Sequence, residues 1–201
     1  DPNPDVAGKG IAALRDAGIQ LSIGIGFDQA KELNEGFIKR MLTGMPFVRL
    51  KMAATIDGRT AAPDGSSKWI TSAESRTDVH HWRANSSAII AGIGTILADD
   101  PLLNARIDED VVQPIRVILD SDARIKPDAS LFTENGEILL VNSASKQLDQ
   151  ISFGEQTETI CLPGENDQVD LESIVKELGT RQCNDVLIES GATLAGSFAN
   201  T

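Results

Sequence analysis

Two rhythms of apolar and polar positions alternate along the chain, and each predicts a different element. Short unbroken apolar runs, SAIIAG (87–92), PIRVILDS (114–121), EILLVNS (137–143), ETICLP (158–163) and DVLIES (185–190), read as strands covered on both faces. Between them, TSAESRTDVHHWRANS (71–86), GTILADD (94–100), VDLESIVKELG (169–179) and GATLAGSFA (191–199) carry apolar residues at helical spacing. Thr71 and Glu74 suit a capping box at the first of these helices. Strands alternating with helices predict an α/β fold with a largely parallel sheet.

The first 45 residues have a different pattern. GIAALRDAG (10–18) is a short helix closed by Gly18, and IQLSIGI (19–25) reads as a strand with no partner before it. In DQAKELNEGFIKRMLTG (28–44), Ala30, Leu33, Phe37, Met41 and Leu42 fall on one helical face, with Asp28 as a capping residue. Pro46 ends that helix, PFVRLKMAATIDG (46–58) starts a strand, and a boundary near residue 45 follows.

Composition narrows the function. The 201 residues are 41% hydrophobic, enough to bury a core, and 30 acids against 18 bases leave a net charge of -12. Nucleic acid and anionic membrane both reward a basic face, so neither is an expected partner. An anionic ligand must be held by a few arginines, lysines and backbone amides. Cys161 and Cys183 lack CxxC spacing and suggest neither a disulfide framework nor a zinc site. No run is long and apolar enough to span a bilayer, and DPNPDVAGKG has no secretory pattern, so the cytoplasm is the expected compartment. A start without methionine and an end at SFANT, inside a helix, suggest a piece of something longer.

In open α/β sheets ligands bind beyond the carboxyl ends of strands, which makes the residues there the ones to inspect. GIGT (92–95) follows one strand, Ser121 a second and GATLAGS (191–197) a third. Glycine before a helix start frees backbone N–H groups for an anion, and it is also ordinary loop chemistry. GIGTIL has Leu97 where the third glycine of GxGxxG belongs, and GATLAGS lacks the Lys-Ser/Thr ending of a P-loop. Asp99, Asp100 and Arg106 in LADDPLLNAR are either substrate-gripping charges or a turn before a proline. Arg76 and Arg83 share a helix face, as a phosphate grip or a solvated surface. Trp69 either stacks on a flat ring or anchors the core. His80 and His81, being adjacent, point apart and do not form a metal pair.

MPFVRLKMAATIDGRTA, SSKWITS, DVHHWRANSSAIIAGIGTILADDPLLNAR, PIRVILDS and IESGATLAGS together resemble the reductase domain of the bifunctional riboflavin-biosynthesis deaminase/reductase family. DPNPDVAGKGIAALRDAGIQLSIG resembles the tail of the family's deaminase domain. The resemblance implies a dihydrofolate-reductase-like sheet flanked by helices over residues 46–201. A helix-strand-helix remnant of the cytidine-deaminase-like domain, with a linker helix, would precede it over 1–45. It further implies NADPH-dependent reduction of the ribosyl group of 5-amino-6-(5-phosphoribosylamino)uracil to ribityl, in a homodimer or homotetramer. The family's zinc-held deaminase signature is absent here, so zinc belongs to an upstream portion. The family's sheet continues beyond Thr201.

By resemblance, Ala53, Trp69, Thr95, Asp99, Ser121 and the turn Gly191, Ala192, Thr193, Leu194, Ala195, Gly196 and Ser197 meet NADPH. Ser67, Arg83, Leu103, Arg106 and Glu189 meet the substrate. Arg83 and Arg106 are suited to clasp the ribose phosphate. Lys51 and Glu189 are the expected catalytic pair, orienting the sugar hydroxyls or supplying the proton that accompanies hydride transfer. Ser190 stands where the family commonly has glycine.

Overall fold

The computed structural model describes residues 1–143 and 153–200. Among them is a six-stranded sheet in the order β1-β6-β2-β3-β4-β5, every neighbouring pair parallel. The strands are β1 (Phe47–Lys51), β2 (Ala88–Gly92), β3 (Ile115–Leu119), β4 (Ile138–Asn142), β5 (Thr157–Cys161) and β6 (Asp185–Glu189). The helices are α1 (Lys9–Asp16), α2 (Phe27–Leu33), α3 (Glu35–Thr43), α4 (Ala73–Ala84), α5 (Ile93–Asp99), α6 (Leu171–Thr180) and α7 (Ala192–Ala199).

The unbroken apolar runs are central strands with a core on each face, because successive side chains alternate between faces. Ala88, Ile90, Val117, Leu139, Val141, Val186 and Ile188 pack on one side with Ile174 and Leu178 of α6. On the other, Ile89, Ala91, Ile118, Leu140 and Leu187 pack with Ile93 and Ile96 of α5 and with Leu103 and Leu131. Arg116 of β3 is 1% exposed; its guanidinium donates to the carbonyls of Leu131, Glu134 and Gly136, which fastens the 131–136 segment beneath the sheet.

Three expectations change. The strand reading of 46–58 shortens to Phe47–Lys51: Lys51 pairs with Glu189, β6 ends there, and the residues after it bond within a local turn, Thr55 N–H to the Arg59 carbonyl and Gly58 N–H to the Thr55 carbonyl. Residues 19–25 form no strand, since an isolated strand has unpaired amides and no strand among the described residues lies beside them. The helix expected over 28–44 is two helices, with Asn34 between them donating from Nδ2 to the Ala30 carbonyl at 2.7 Å. That side-chain bond competes with the backbone ladder. Caps also shift: Gly26 precedes α2 with Asp28 in its first turn, and Ser72, rather than Thr71, caps α4 by accepting from the Ser75 amide.

Helix α3 is held to the sheet at the start of β6. Arg40 Nε donates to Asn184 Oδ1 at 2.7 Å, and Arg49 of β1 pairs with Asp185 while its guanidinium stacks on Phe47. Gly36 is the one buried residue of α3, and a Cβ there would collide with Asp185 and the Asn184 carbonyl. Elsewhere in 1–45, Ile19, Ile23, Ile25, Phe27, Leu33 and Leu42 are exposed.

Candidate functional site

A cleft of about 1030 Å³ opens over the carboxyl ends of β1, β6 and β2. Its position follows from the topology. β6, the last strand in sequence, inserts between β1 and β2, so Lys51 and Glu189 finish side by side in register. Helix α4 crosses beside them and presents Arg76, His80 and Arg83 from one face, four and three residues apart. The 52–72 segment, released from the sheet once β1 ends, supplies Ala53, Ser67 and Trp69, and the chain after α5 supplies Leu103 and Arg106.

At the floor lies a carboxylate between two cations. Glu189 is 8% exposed. Arg83 holds it in a two-pronged bond, Nε to Oε1 at 2.5 Å and Nη2 to Oε2 at 2.9 Å, and Arg83 Nη1 donates to the Asn104 carbonyl at 3.1 Å. Lys51 Nζ stands 3.8 Å from Glu189 Oε2 and remains half-exposed to the cleft. Burying a carboxylate is expensive unless it is paired and hydrogen-bonded, and Arg83 meets that demand.

Arg106 is held differently. Its Nη1 donates to Asn104 Oδ1 at 2.5 Å, its Nη2 lies 3.2 Å from His80 Nε2, and its backbone nitrogen lies 3.2 Å from His80 Nδ1. All three partners are uncharged when the imidazole is neutral. Burial, followed by the charges of Arg83 and Arg106, holds the His80 pKa below the ordinary histidine value. Asn104 is 7% exposed and is held by Glu134, so it presents both its carbonyl and its amide oxygen at fixed positions.

The rim carries a flat surface. Trp69 is 70% exposed, which excludes the core-anchor reading; the Arg76 guanidinium lies 4.2 Å from its ring centre and also donates to the Thr71 carbonyl at 2.7 Å. Lys68 reaches Asp99 at 3.5 Å and ties the 60–72 segment to the end of α5. Asp100 is a turn residue: it accepts from the amide and hydroxyl of Ser130.

Of the residues singled out from the sequence, Lys51, Ala53, Ser67, Trp69, Arg83, Thr95, Asp99, Leu103, Arg106, Glu189 and Gly191 all line this cleft. Leu103, at 2% exposure, is as much core as cleft wall. Ser121 lies elsewhere. Its hydroxyl accepts from the Val169 amide at 3.1 Å, and its carbonyl accepts from Ser143 Oγ at 3.1 Å. Of the 191–197 turn only Gly191 reaches the cleft; Ala192, Thr193, Leu194, Ala195, Gly196 and Ser197 are turns of α7, with Ala195 buried and Leu194 packed against Gly92. His80 and Asn104 were not anticipated as site residues. Helical spacing from Arg76 and Arg83 pointed to His80, whereas no local signal marked Asn104.

Residues 46–201 match the family model described as the RibD C-terminal domain. The chain is 46% identical over 210 residues to the riboflavin biosynthesis protein RibD of Haemophilus influenzae, with 98% of this chain and 55% of that protein covered. It superposes on RibD of Acinetobacter baumannii with a TM-score of 0.84 at 44% identity, over 100% of this chain and 55% of that one. A Thermotoga maritima protein described as a diaminohydroxyphosphoribosylaminopyrimidine deaminase/5-amino-6-(5-phosphoribosylamino)uracil reductase gives a TM-score of 0.83 at 33% identity, covering 100% and 54%. The chain thus spans about half the length of the relatives it matches.

Proposed function

On the premise that this chain belongs to the RibD C-terminal domain family, we propose that it reduces the ribosyl group of 5-amino-6-(5-phosphoribosylamino)uracil to ribityl, with NADPH as reductant. In this reading residues 46–201 are the reductase domain and 1–45 the end of a preceding deaminase domain. The observation that carries it is the convergence of Lys51, Glu189, Arg83 and Arg106 in one cleft over adjoining strand ends, beside an exposed indole and the start of α7.

The cleft fits an extended dinucleotide. Its volume is at the upper end for ligand sites, Trp69 offers an exposed ring face at the rim, and Gly191, the residue before α7, lines its wall. Thr95, Asp99, Ala53, Trp69 and Gly191 would hold NADPH, which supplies hydride for C1′ of the sugar. Ser67, Leu103 and Arg106 would hold the substrate. Arg106 is the partner for its phosphate, because among the described residues its guanidinium faces only neutral acceptors and carries a charge that an anion can match. Arg83, committed to Glu189, acts by positioning that carboxylate.

Cleavage of the C1′–O4′ bond leaves O4′ in need of a proton. Lys51, half-exposed at the floor and oriented by Glu189, is assigned that proton, with Glu189 also accepting from sugar hydroxyls. The test is loss of NADPH absorbance with the deaminated aminouracil phosphate, on this chain and on a version extended at both ends. Turnover by either supports the reading. Turnover of dihydrofolate with none of the aminouracil phosphate overturns it.

A further inference from the structure

His80 touches the cleft through Arg106. Its ring meets that residue twice, Nδ1 with the backbone N–H and Nε2 with the guanidinium, each at 3.2 Å. A neutral imidazole carries one lone pair and accepts one of these donors at a time; an imidazolium accepts neither and faces both with a like charge. Arginine is a long side chain with many rotamers, and an exposed one has no fixed direction unless something holds it. Here the holders are His80 from α4 and Asn104 Oδ1 from the chain's own turn.

We propose that His80 is a positioning residue for Arg106, whose neutral imidazole, in the tautomer with its lone pair on Nε2, aims the guanidinium at the phosphoryl group of the ligand. The proposal rests on the reading of Arg106 as the phosphate's partner. The groups around the ring agree with it: burial first, then Arg83 on the same helix and Arg106 on the 100–106 turn, disfavour a charged imidazole, and together they outweigh the opposing influence of the Asn104 backbone and of Glu189 on β6. A carboxylate in place of His80 would neutralise Arg106 as Glu189 neutralises Arg83. A lysine would repel it. A neutral acceptor fixes the direction of the charge and leaves the charge available.

The test compares affinities for ribose 5-phosphate and for NADPH in wild type, His80→Leu and His80→Gln, at about pH 7.5 and about pH 5.5, either side of the ordinary histidine value. At the higher pH, His80→Leu is expected to lose roughly tenfold on ribose 5-phosphate and to keep its NADPH affinity. His80→Gln retains a neutral acceptor and should stay within about threefold of wild type. On acidification wild type should lose more ribose 5-phosphate affinity than His80→Gln, because protonation of the ligand itself is common to both. Wild-type binding by His80→Leu overturns the proposal, as does equal loss of both ligands with a lowered melting temperature. Matching acid losses in wild type and His80→Gln overturn it too. Arg106→Ala separates the premise: if it leaves ribose 5-phosphate binding intact, the reading of Arg106 fails before that of His80.

Discussion

The two halves of this sheet end in opposite ways. Beyond β1, β6 and β2 the chain leaves a cleft lined with charges, an exposed indole and a helix start. Beyond β3 and β4 polar groups turn inward: Asp120 Oδ2 accepts from the Ile125 amide while its Oδ1 is buried, the Ser121 hydroxyl accepts from the Val169 amide, and Ser143 Oγ lies within hydrogen-bond distance of the carbonyls of Asp167 and Ser121. Position after a parallel strand is common to both halves, so position alone does not make a site. What differs is whether returning loops supply partners for the strand-end groups.

The same contrast separates the two arginines of the cleft. Arg83 has a buried carboxylate, and Arg106 has two neutral acceptors. Arg83→Ala should therefore act first on the fold. Leaving Glu189 buried without its two-pronged partner, with only the half-exposed Lys51 at 3.8 Å, costs about 3 kcal/mol, readable as a lower melting temperature, and a variant that melts like wild type would remove the distinction. Lys51→Met should lower turnover by about 10²-fold with binding intact, measured as a fall in kcat at unchanged KM. Arg106→Ala should weaken binding of the phosphorylated sugar by about 2 kcal/mol, the worth of a charge-assisted bond, while its melting temperature and NADPH affinity stay put.

Ser121→Ala tests the closed half. Loss of its bonds should cost about 1 kcal/mol of stability and leave both ligand affinities unchanged; a selective fall in NADPH affinity would place the cofactor across both halves. The smallest effect concerns pH. Because His80 is depressed in the folded protein, the unfolded chain binds the proton more readily between the folded and the ordinary value. Stability from the neutral ring is complete above the ordinary histidine value and declines as pH falls through that window. Thermal melting of wild type against His80→Gln over this range measures it.

Much of this architecture was legible because buried parallel strands must be continuously apolar, and SAIIAG, PIRVILDS and DVLIES could be little else. Strand ends then placed Lys51, Thr95, Glu189 and Gly191 together. The misreadings share one cause: the deciding partner was remote or missing. IQLSIGI looks like a strand but has none beside it among the described residues, and β1 stops where β6 stops. Nor does any local pattern show that Arg83 pairs with a carboxylate 106 positions away or that Ser121 bonds an amide 48 positions away. A local pattern shows what a residue can bond, whereas the fold decides which bond it makes.

The most direct measurement is a crystal structure of this chain with NADPH and ribose 5-phosphate. The account predicts phosphate oxygens against the Arg106 guanidinium and the nicotinamide ring beside Lys51 and Glu189, within the β1-β6-β2 cleft. Phosphate bound elsewhere, with Arg106 still resting on His80 and Asn104 alone, would contradict it.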